Sequence, residues 1–245
     1  MDAVQPIVLA AGKGTRFVGF DGPKVLALFR DKPLVGYILS VLGKISLAQP
    51  IVVIGYHAEK VRALVGGRGT CVVQKDQFGT AHAVSDALSA LDSSVQTVVV
   101  VNGDTPFWKP ETFEKLVEAH HSSHAMVTVV TVEFDDPSGY GRIVRDGAER
   151  VRAIVEHVDA SPEQLQIKEC NSGLYALDHA WLKENISGIK PSKKGEYYLT
   201  DIVGIAIADG KKVETVSADW REALGVNTPE QLKFAEQTIP QDWFA

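Results

Sequence analysis

A loop of small residues directly follows the first apolar run of the chain, Ile7–Ala10. It reads Leu9-Ala10-Ala11-Gly12-Lys13-Gly14-Thr15-Arg16. Residues of this size let backbone N–H groups converge on an anion without side chains in the way. Arg16 and Lys24 follow on the same loop, and two cations beside such a cradle could neutralise the charge of a triphosphate. We therefore expect phosphate binding here, the alternative being that both cations are solvated surface charges.

The spacing of the glycines distinguishes this loop from two other nucleotide-binding loops. A Walker loop requires GxxxxGK[ST], and a dinucleotide fold requires GxGxxG with an acidic residue after the second strand. Here the pair Gly12 and Gly14 continues to Phe17, and the second predicted strand ends in Gly55-Tyr56-His57. Phosphoanhydride hydrolysis and hydride transfer are both disfavoured.

A single carboxylate, Asp104, stands just beyond the apolar strand predicted at Thr97–Val101. Two other groups of acidic or histidine residues could be interpreted as metal sites, but each has a structural alternative. His120, His121 and His124 close a predicted helix, where histidines favour the helix dipole, and Asp135-Asp136 precedes a turn-forming Pro137-Ser138-Gly139.

The composition is that of an ordinary globular α/β protein: 245 residues, 45% hydrophobic, with a formal net charge of −6. This charge argues against a broad basic surface for nucleic acid. Cys71 and Cys170 lack the spacing of a zinc site or a disulfide framework, which fits a reducing cytoplasm. The first apolar run is too short to cross a membrane, so we expect no membrane partner. No sequence feature sets an oligomeric state.

Strand and helix patterns alternate along the first half of the chain. Short Val- and Ile-rich runs predict buried strands, and three stripes of helical spacing lie between them. The predicted strands are Ile7–Ala10, Ile51–Gly55, Cys71–Val73, Thr97–Val101 and Met126–Val132, and the helical stripes are Leu34–Ile45, Ala81–Leu91 and Thr112–His120. The alternation predicts a Rossmann-like three-layer α/β/α sandwich with a mostly parallel sheet.

An antiparallel annex follows Phe134. Two alternating runs, Tyr140–Arg145 and Arg150–Glu156, flank the turn signal Asp146-Gly147 and predict a β-hairpin. The remaining predicted elements are a strand at Cys170–Leu177, a helix at Leu199–Asp209, a strand at Lys212–Ser217 and a last helix from Pro229.

Several short motifs occur in an order that resembles one enzyme family. They are Leu9–Arg16, Pro23–Leu26, Gln74 with Gln77–Ala83, Asn102–Pro106, Gly139–Ile143, Ile154–His157, Cys170–Tyr175, Gly195–Asp201 and Gly225–Asn227. Together they resemble the sugar nucleotidyltransferases, and within them the uridyltransferase domain of bacterial N-acetylglucosamine-1-phosphate uridyltransferases. The resemblance extends from the first strand to the last helix.

The resemblance implies a magnesium-dependent transfer of UMP from UTP to a sugar 1-phosphate, foremost N-acetylglucosamine 1-phosphate, with release of pyrophosphate. By this resemblance Asp104 and Asn227 hold Mg²⁺, and Arg16 and Lys24 assist at the phosphates, so catalysis is mainly positioning and electrostatics. The implied nucleotide-binding residues are Leu9, Ala10, Ala11, Gly12, Gly14, Thr15, Arg16, Lys24, Gln74, Gly79, Thr80, Gly103 and Asp104.

The same resemblance assigns a second set of residues to the sugar. They are Asn102, Gly139, Gly141, Glu156, Asn171, Tyr198 and Thr200. Glu156 can accept hydrogen bonds from hydroxyls, and Asn171 can donate or accept. Tyr198 and Thr200 have structural alternatives, because Tyr198 lies in an apolar stretch and Thr200 suits a helix N-terminus.

The chain departs from the family pattern in four ways. Arg16 and Lys24 are one residue further apart, Asn102 replaces an aromatic, Ser172 replaces a threonine, and no hexapeptide repeats of a left-handed β-helix occur. We therefore expect a single nucleotidyltransferase domain without acetyltransferase activity. Three alternatives remain open: another acceptor such as glucose 1-phosphate or a phosphorylated alcohol, a catalytically silent nucleotide-sugar sensor, and, least favoured, a dinucleotide oxidoreductase.

Overall fold

A mixed β-sheet forms the middle layer of the protein. In the computed structural model, which describes residues 3–45 and 47–244, this sheet has nine strands and a separate β-hairpin has two. The strands are β1 (Ala3–Ala10), β2 (Leu28–Phe29), β3 (Lys32–Pro33), β4 (Ile51–Ile54), β5 (Thr70–Val73), β6 (Val95–Asn102), β7 (Val127–Glu133), β8 (Arg142–Arg145), β9 (Val151–Val155), β10 (Glu169–Asp178) and β11 (Val213–Ser217).

The main path of the sheet has the order β11-β7-β10-β6-β1-β4-β5. Neighbouring strands are parallel except where β10 pairs antiparallel with β6 and β7. The β8–β9 hairpin joins through β8, which pairs with β10. The expected mostly parallel sheet with an antiparallel annex is confirmed.

Helices cover both faces of the sheet. They are α1 (Leu34–Leu42), α2 (Ala58–Val65), α3 (Thr80–Leu88), α4 (Pro110–Ser123), α5 (His179–Asn185), α6 (Asp201–Ala208) and α7 (Pro229–Thr238). One apolar cluster packs α1, α2, α4 and α7 on one face, and a second packs α3, α5 and α6 on the other. In β6, Val99 and Val101 belong to the first cluster and Val98 and Val100 to the second, as strand alternation requires. The three-layer sandwich is thus confirmed.

The observed elements differ from the predicted ones mainly at short helices. The stripe predicted to reach Ile45 ends as a helix at Leu42, and Ile45 is buried from the loop that follows. The helix predicted from Leu199 begins at Asp201. Two helices were not predicted, α2 and α5, because each buries too few apolar residues to make a stripe.

Parallel pairing of β1 with β6 brings two loops to the same edge of the sheet. Leu9 is the register partner of Asn102, so the small-residue loop after β1 and the segment Asn102–Asp104 emerge side by side. Ligands bind beyond the carboxyl ends of the strands in open sheets of this kind. None of the helices in the described ranges is long and apolar enough to cross a lipid bilayer.

Candidate active site

A cleft with two compartments opens at this edge. The first, about 450 Å³, lies over the small-residue loop and is called the loop compartment. The second, about 320 Å³, lies between the hairpin annex and the end of β10 and is called the hairpin compartment. The residues shared by both are Leu9, Thr80, Asn102, Asp104 and Tyr198. The compartments therefore adjoin, with Asp104 at their boundary.

Lys24 lies between the two residues predicted to hold a metal. Its ammonium donates to an Asp104 carboxylate oxygen and to Asn227 Oδ1, the latter over 2.6 Å. Arg16 Nη2 also donates to Asn227 Oδ1, over 3.0 Å. The side chains of Lys24 and Asp104 are only 12% and 22% exposed. The structure thus brings all four residues together, and the longer spacing between Arg16 and Lys24 does not keep Arg16 away.

Backbone hydrogen bonds bring together the two segments that carry Asp104 and Asn227. Gly103 N–H donates to Leu9 O over 2.9 Å, which ties the segment after β6 to β1. Val226 N–H donates to Asp104 O, also over 2.9 Å, which ties the segment before α7 to the same point. Asp104 and Asn227 therefore approach each other through main-chain contacts as well as through Lys24.

Gly14 allows Lys24 to approach the loop. Its φ is +62°, and a Cβ atom there would lie 2.6 Å from Lys24 Cβ. An L side chain would be both strained and in steric conflict with the lysine. The turn is closed by Phe17 N–H, which donates to Gly14 O over 2.8 Å.

The residues predicted to bind the nucleotide gather in the loop compartment with few exceptions. Those that line it are Leu9, Ala11, Gly12, Gly14, Thr15, Lys24, Gln74, Gly79, Thr80 and Asp104. Arg16 lines the hairpin compartment instead. Ala10 and Gly103 are buried in the strand ends behind the cleft and line neither compartment.

The floor of the loop compartment is joined to the segment before α6. Gly79 has φ +111°, and a Cβ atom there would lie 2.5 Å from Tyr197 O, so only glycine fits. Tyr197 N–H donates to Phe78 O over 2.7 Å, and Tyr197 O accepts from Ala81 N–H over 3.0 Å. Leu199 N–H donates to Thr80 Oγ1 over 2.9 Å. A shift of this segment would therefore be transmitted to both compartments.

All seven residues predicted to contact the sugar line the hairpin compartment. Thr200 precedes α6, as its structural alternative predicted, but its hydroxyl makes no capping bond and donates instead to Glu156 Oε1 over 2.9 Å. Burial of the Glu156 carboxyl raises its pKa above the ordinary value. Asn171 Oδ1 accepts from Gly173 N–H over 3.0 Å, so its NH₂ group is the one left to donate.

Tyr175 and Tyr140 line the hairpin compartment and were not predicted. Tyr175 is 3% exposed, and its hydroxyl has no hydrogen-bond partner among the described residues. Tyr140 Oη accepts from Gly225 N–H over 3.2 Å. Strand alternation could have identified Tyr175, because it shares a face of β10 with Asn171 and Gly173. Ser172 also lines this compartment, and its hydroxyl donates to Val130 O over 2.6 Å.

The histidines at the end of α4 have structural partners. His120 Nδ1 lies 2.9 Å from Thr128 Oγ1, and His121 Nε2 lies 2.9 Å from Thr97 Oγ1. His124 ends the helix with φ 52°, which confirms the predicted helix terminus. Burial lowers the pKa of His120 to about 4. The acidic pair also forms the predicted turn, since Asp136 Oδ1 accepts from Ser138 N–H over 3.1 Å.

Comparison with known proteins shows the family and agrees with this fold. A family model described as "Nucleotidyl transferase" matches residues 5–227. The chain is 44% identical over 235 residues to the "Bifunctional protein GlmU" of Heliobacterium modesticaldum, covering 95% of this chain and 51% of that protein. It is 40% identical over 239 residues to the protein of the same name from Trichlorobacter lovleyi, with 96% and 52% coverage. The chain thus spans about half the length of these relatives.

A solved structure shares the fold. It is a Bacillus anthracis protein named as a glucose-1-phosphate thymidylyltransferase and crystallised with sucrose. Its TM-score is 0.77 at 20% sequence identity, with 96% of this chain and 95% of that chain covered. The fold and the cleft define the class, a three-layer α/β protein with its candidate site beyond the carboxyl ends of the strands. The chain belongs to the nucleotidyl transferase family, and the resemblance stated from its motifs is confirmed.

The partly buried Glu156 carboxylate predicts a pH-dependent effect on stability. Its pKa in the folded protein lies above the ordinary value. Below about pH 4.5, the ordinary pKa of a glutamate, the carboxyl is protonated in both the folded and the unfolded protein, and the free energy of unfolding is unaffected. As the pH rises above that value, ionisation of the carboxyl lowers the free energy of unfolding. Glu156→Gln keeps an oxygen for Thr200 and removes the charge. We expect its thermal midpoint to exceed that of the wild type at pH 7 and to match it near pH 4. Glu236→Gln, on the exposed side of α7, is the control; a Glu156→Gln variant less stable than wild type at pH 7 would contradict the argument.

The unpartnered hydroxyl of Tyr175 predicts a second effect on stability. Tyr175→Phe removes a buried hydroxyl that lacks a partner, so it should leave the free energy of unfolding unchanged or raise it by up to about 1 kcal/mol. Tyr37→Phe is the matched comparison, because Tyr37 Oη donates to Phe29 O over 2.9 Å, and its loss should cost about 1 kcal/mol. Urea unfolding of both variants distinguishes them. Equal destabilisation would mean that Tyr175 has a partner in solution.

Proposed function

We propose that this chain transfers UMP from UTP to a sugar 1-phosphate, foremost N-acetylglucosamine 1-phosphate, forming a UDP-sugar and releasing pyrophosphate. One observation carries the proposal: Lys24, Asp104 and Asn227 meet where the loop compartment adjoins the hairpin compartment. A phosphate-binding cluster at the boundary between two pockets suits the joining of two phosphorylated substrates. Membership of the nucleotidyl transferase family supports the reaction type, and the names of the relatives support the acceptor.

The loop compartment suits the triphosphate. Gly12 and Gly14 leave backbone N–H groups accessible to phosphate oxygens, and Arg16 and Lys24 supply two cations at its edge. Gln74 and Gly79 lie deeper and present amide groups of the kind that pair with a base. We assign the phosphates to the glycine end and the base to the Gln74 end.

Asp104 and Asn227 have the chemistry of a magnesium site. One carboxylate and one amide oxygen are hard ligands, and Mg²⁺ commonly binds one or two protein oxygens and completes its shell with substrate phosphates and water. The two side chains already converge on a single cation, the Lys24 ammonium. When bound, the ion supplies charge neutralisation at the triphosphate.

The residues of the site then act by position and charge. Lys24 and Arg16 neutralise the phosphates, the backbone N–H groups of the loop orient them, and the cleft holds the acceptor phosphate beside the α-phosphorus. An oxygen of the sugar phosphate attacks that phosphorus, the bond to the β-phosphate oxygen breaks, and pyrophosphate leaves with the electron pair. This transfer requires no nucleophile from the protein.

The hairpin compartment suits a hydroxyl-bearing ring. Glu156 offers an acceptor, Asn171 an NH₂ donor and Tyr175 a free hydroxyl, all on its lining. A second candidate is the same transfer to glucose 1-phosphate. The observation that favours it is Asn102, which lines both compartments and packs against Gly173. In the family pattern an aromatic residue near the sugar occupies this position, so its replacement by a small polar residue bears on the choice of sugar.

Pyrophosphate release tests the function directly. The purified chain is incubated with Mg²⁺ and each pairing of UTP, CTP, ATP or dTTP with N-acetylglucosamine 1-phosphate, glucose 1-phosphate or glycerol 3-phosphate. We expect the highest kcat/KM for UTP with N-acetylglucosamine 1-phosphate. Better turnover of glucose 1-phosphate would select the second candidate, and no pyrophosphate with any pair, despite nucleotide binding, would support a silent sensor.

Asp104→Asn tests the assignment of the metal ligands. We expect kcat to fall at least about 100-fold, because a neutral amide replaces the only carboxylate proposed to hold the ion. The rise in thermal midpoint on adding Mg²⁺ with UTP should also shrink. Asp135→Asn is the control, since Asp135 is exposed and pairs with Lys168 at the surface. Wild-type turnover in Asp104→Asn would remove Asp104 from the mechanism.

We also propose a cytoplasmic location, which is supported by the free thiols of Cys71 and Cys170.

A further inference from the structure

The buried side chain of Gln74 is held by two neighbours at the deep end of the loop compartment. Gln74 is 3% exposed. Its Nε2 lies 2.8 Å from His82 Nδ1 and 3.4 Å from Gly79 O. His82 belongs to the first turn of α3, which begins just after Gly79, so all three groups are set by one short stretch of chain.

These contacts determine which way the Gln74 amide points. A backbone carbonyl can only accept a hydrogen bond, so the group facing Gly79 O must be the NH₂ group. The same NH₂ group then donates to His82 Nδ1, which must be the unprotonated ring nitrogen. Asp86 Oδ2 lies 3.6 Å from this nitrogen, beyond hydrogen-bonding distance, so Gln74 is its partner. The amide oxygen of Gln74 is left for a ligand.

We propose that His82 is a positioning residue that selects the base of the nucleotide by holding the Gln74 amide in this orientation. An amide oxygen facing the base can accept from the ring N–H of uracil or thymine. The corresponding ring nitrogen of cytosine carries a lone pair and would face that oxygen unfavourably. The inference rests on the proposed function, since it assigns the base to the Gln74 end of the cleft.

Packing supports His82 in this role. The ring of Phe78 meets the His82 ring edge to face, with centroids 5.3 Å apart, and the side chain is 32% exposed. The imidazole is therefore restrained while remaining outside the loop compartment, whose lining includes Gln74 but not His82. His82 acts on the base through Gln74.

Two substitutions at position 82 separate positioning from packing. His82→Leu keeps a bulky side chain that can pack against Phe78 but removes the acceptor, so the Gln74 amide loses its shorter hydrogen bond and is free to turn. We expect KM for UTP to rise about tenfold and the ratio of kcat/KM for UTP over CTP to fall about tenfold, the effect of one hydrogen bond. The kcat and the KM for the sugar phosphate should change less than about twofold, because the residue is remote from the phosphates.

His82→Asn provides the rescue. Its side-chain oxygen lies near the position of imidazole Nδ1 and can accept from Gln74, so UTP selectivity should return towards the wild-type ratio. Asp86→Asn is the control, because it leaves the ring nitrogen and Gln74 in place and should keep the wild-type ratio. Circular dichroism and thermal midpoints check the fold of each variant.

The same variants distinguish failure of this inference from failure of the proposed function. If wild type prefers UTP and His82→Leu keeps the full preference, the positioning role is overturned while the function stands. If the wild type transfers no nucleotide, the proposed function fails. Calorimetric titration of UTP and CTP into wild type and His82→Leu then decides the role of His82: a fall in the affinity ratio supports it, and an unchanged ratio overturns it.

Discussion

The arrangement of the cleft depends on one ammonium group. Lys24 holds the Asp104 carboxylate and the Asn227 amide oxygen, and thereby joins three segments: the loop after β1, the end of β6 and the loop before α7. The Lys24 side chain is 12% exposed, so the ion pair is largely shielded from water. Removal of either partner would leave the other charge partly buried and unpaired, which carries a desolvation cost. The same pairing keeps together the two oxygen atoms proposed to hold Mg²⁺, so that the proposed metal site would be assembled before substrate enters.

A second constraint links the two compartments. The loop Phe78–Ala81 and the segment Tyr197–Leu199 exchange three hydrogen bonds, and the next residue, Thr200, donates to Glu156 in the hairpin compartment. This continuous path runs from the base end of the cleft to the acidic group proposed to meet the sugar. Main-chain and side-chain contacts of this kind would hold the two proposed substrates in one geometry, which is the main contribution that a phosphoryl-transfer site makes.

Three groups in the cleft lower the stability of the free protein or leave bonding capacity unused. The Glu156 carboxyl has a raised pKa because of its burial, the Tyr175 hydroxyl has no partner among the described residues, and the Gln74 amide oxygen is the group proposed to meet the base. Buried polar groups are normally satisfied, so an unpartnered hydroxyl in the wall of a cleft is consistent with a ligand there, although, within the described ranges, Arg142 Nε and Trp181 Nε1 also lack partners away from the cleft. The histidines of α4, which were considered as metal ligands, differ from these groups, because the side chains of His120 and His121 have hydrogen-bond partners within the fold.

The sequence alone determined the architecture and most of the residues that line the cleft. Apolar runs, helical stripes and turn signals are local properties, which is why the sheet, the β8–β9 hairpin and the small-residue loop were predictable, whereas short helices with few apolar residues, such as α2, were not. Only the tertiary structure decided which groups meet. Arg16 bonds Asn227 across 211 positions, and Ala10 and Gly103 are buried behind the cleft, because strand register and packing set these distances. The bond of Thr200 to Glu156, the position of Tyr175 in the wall of the hairpin compartment and the orientation of Gln74 likewise follow from contacts that residue spacing does not encode.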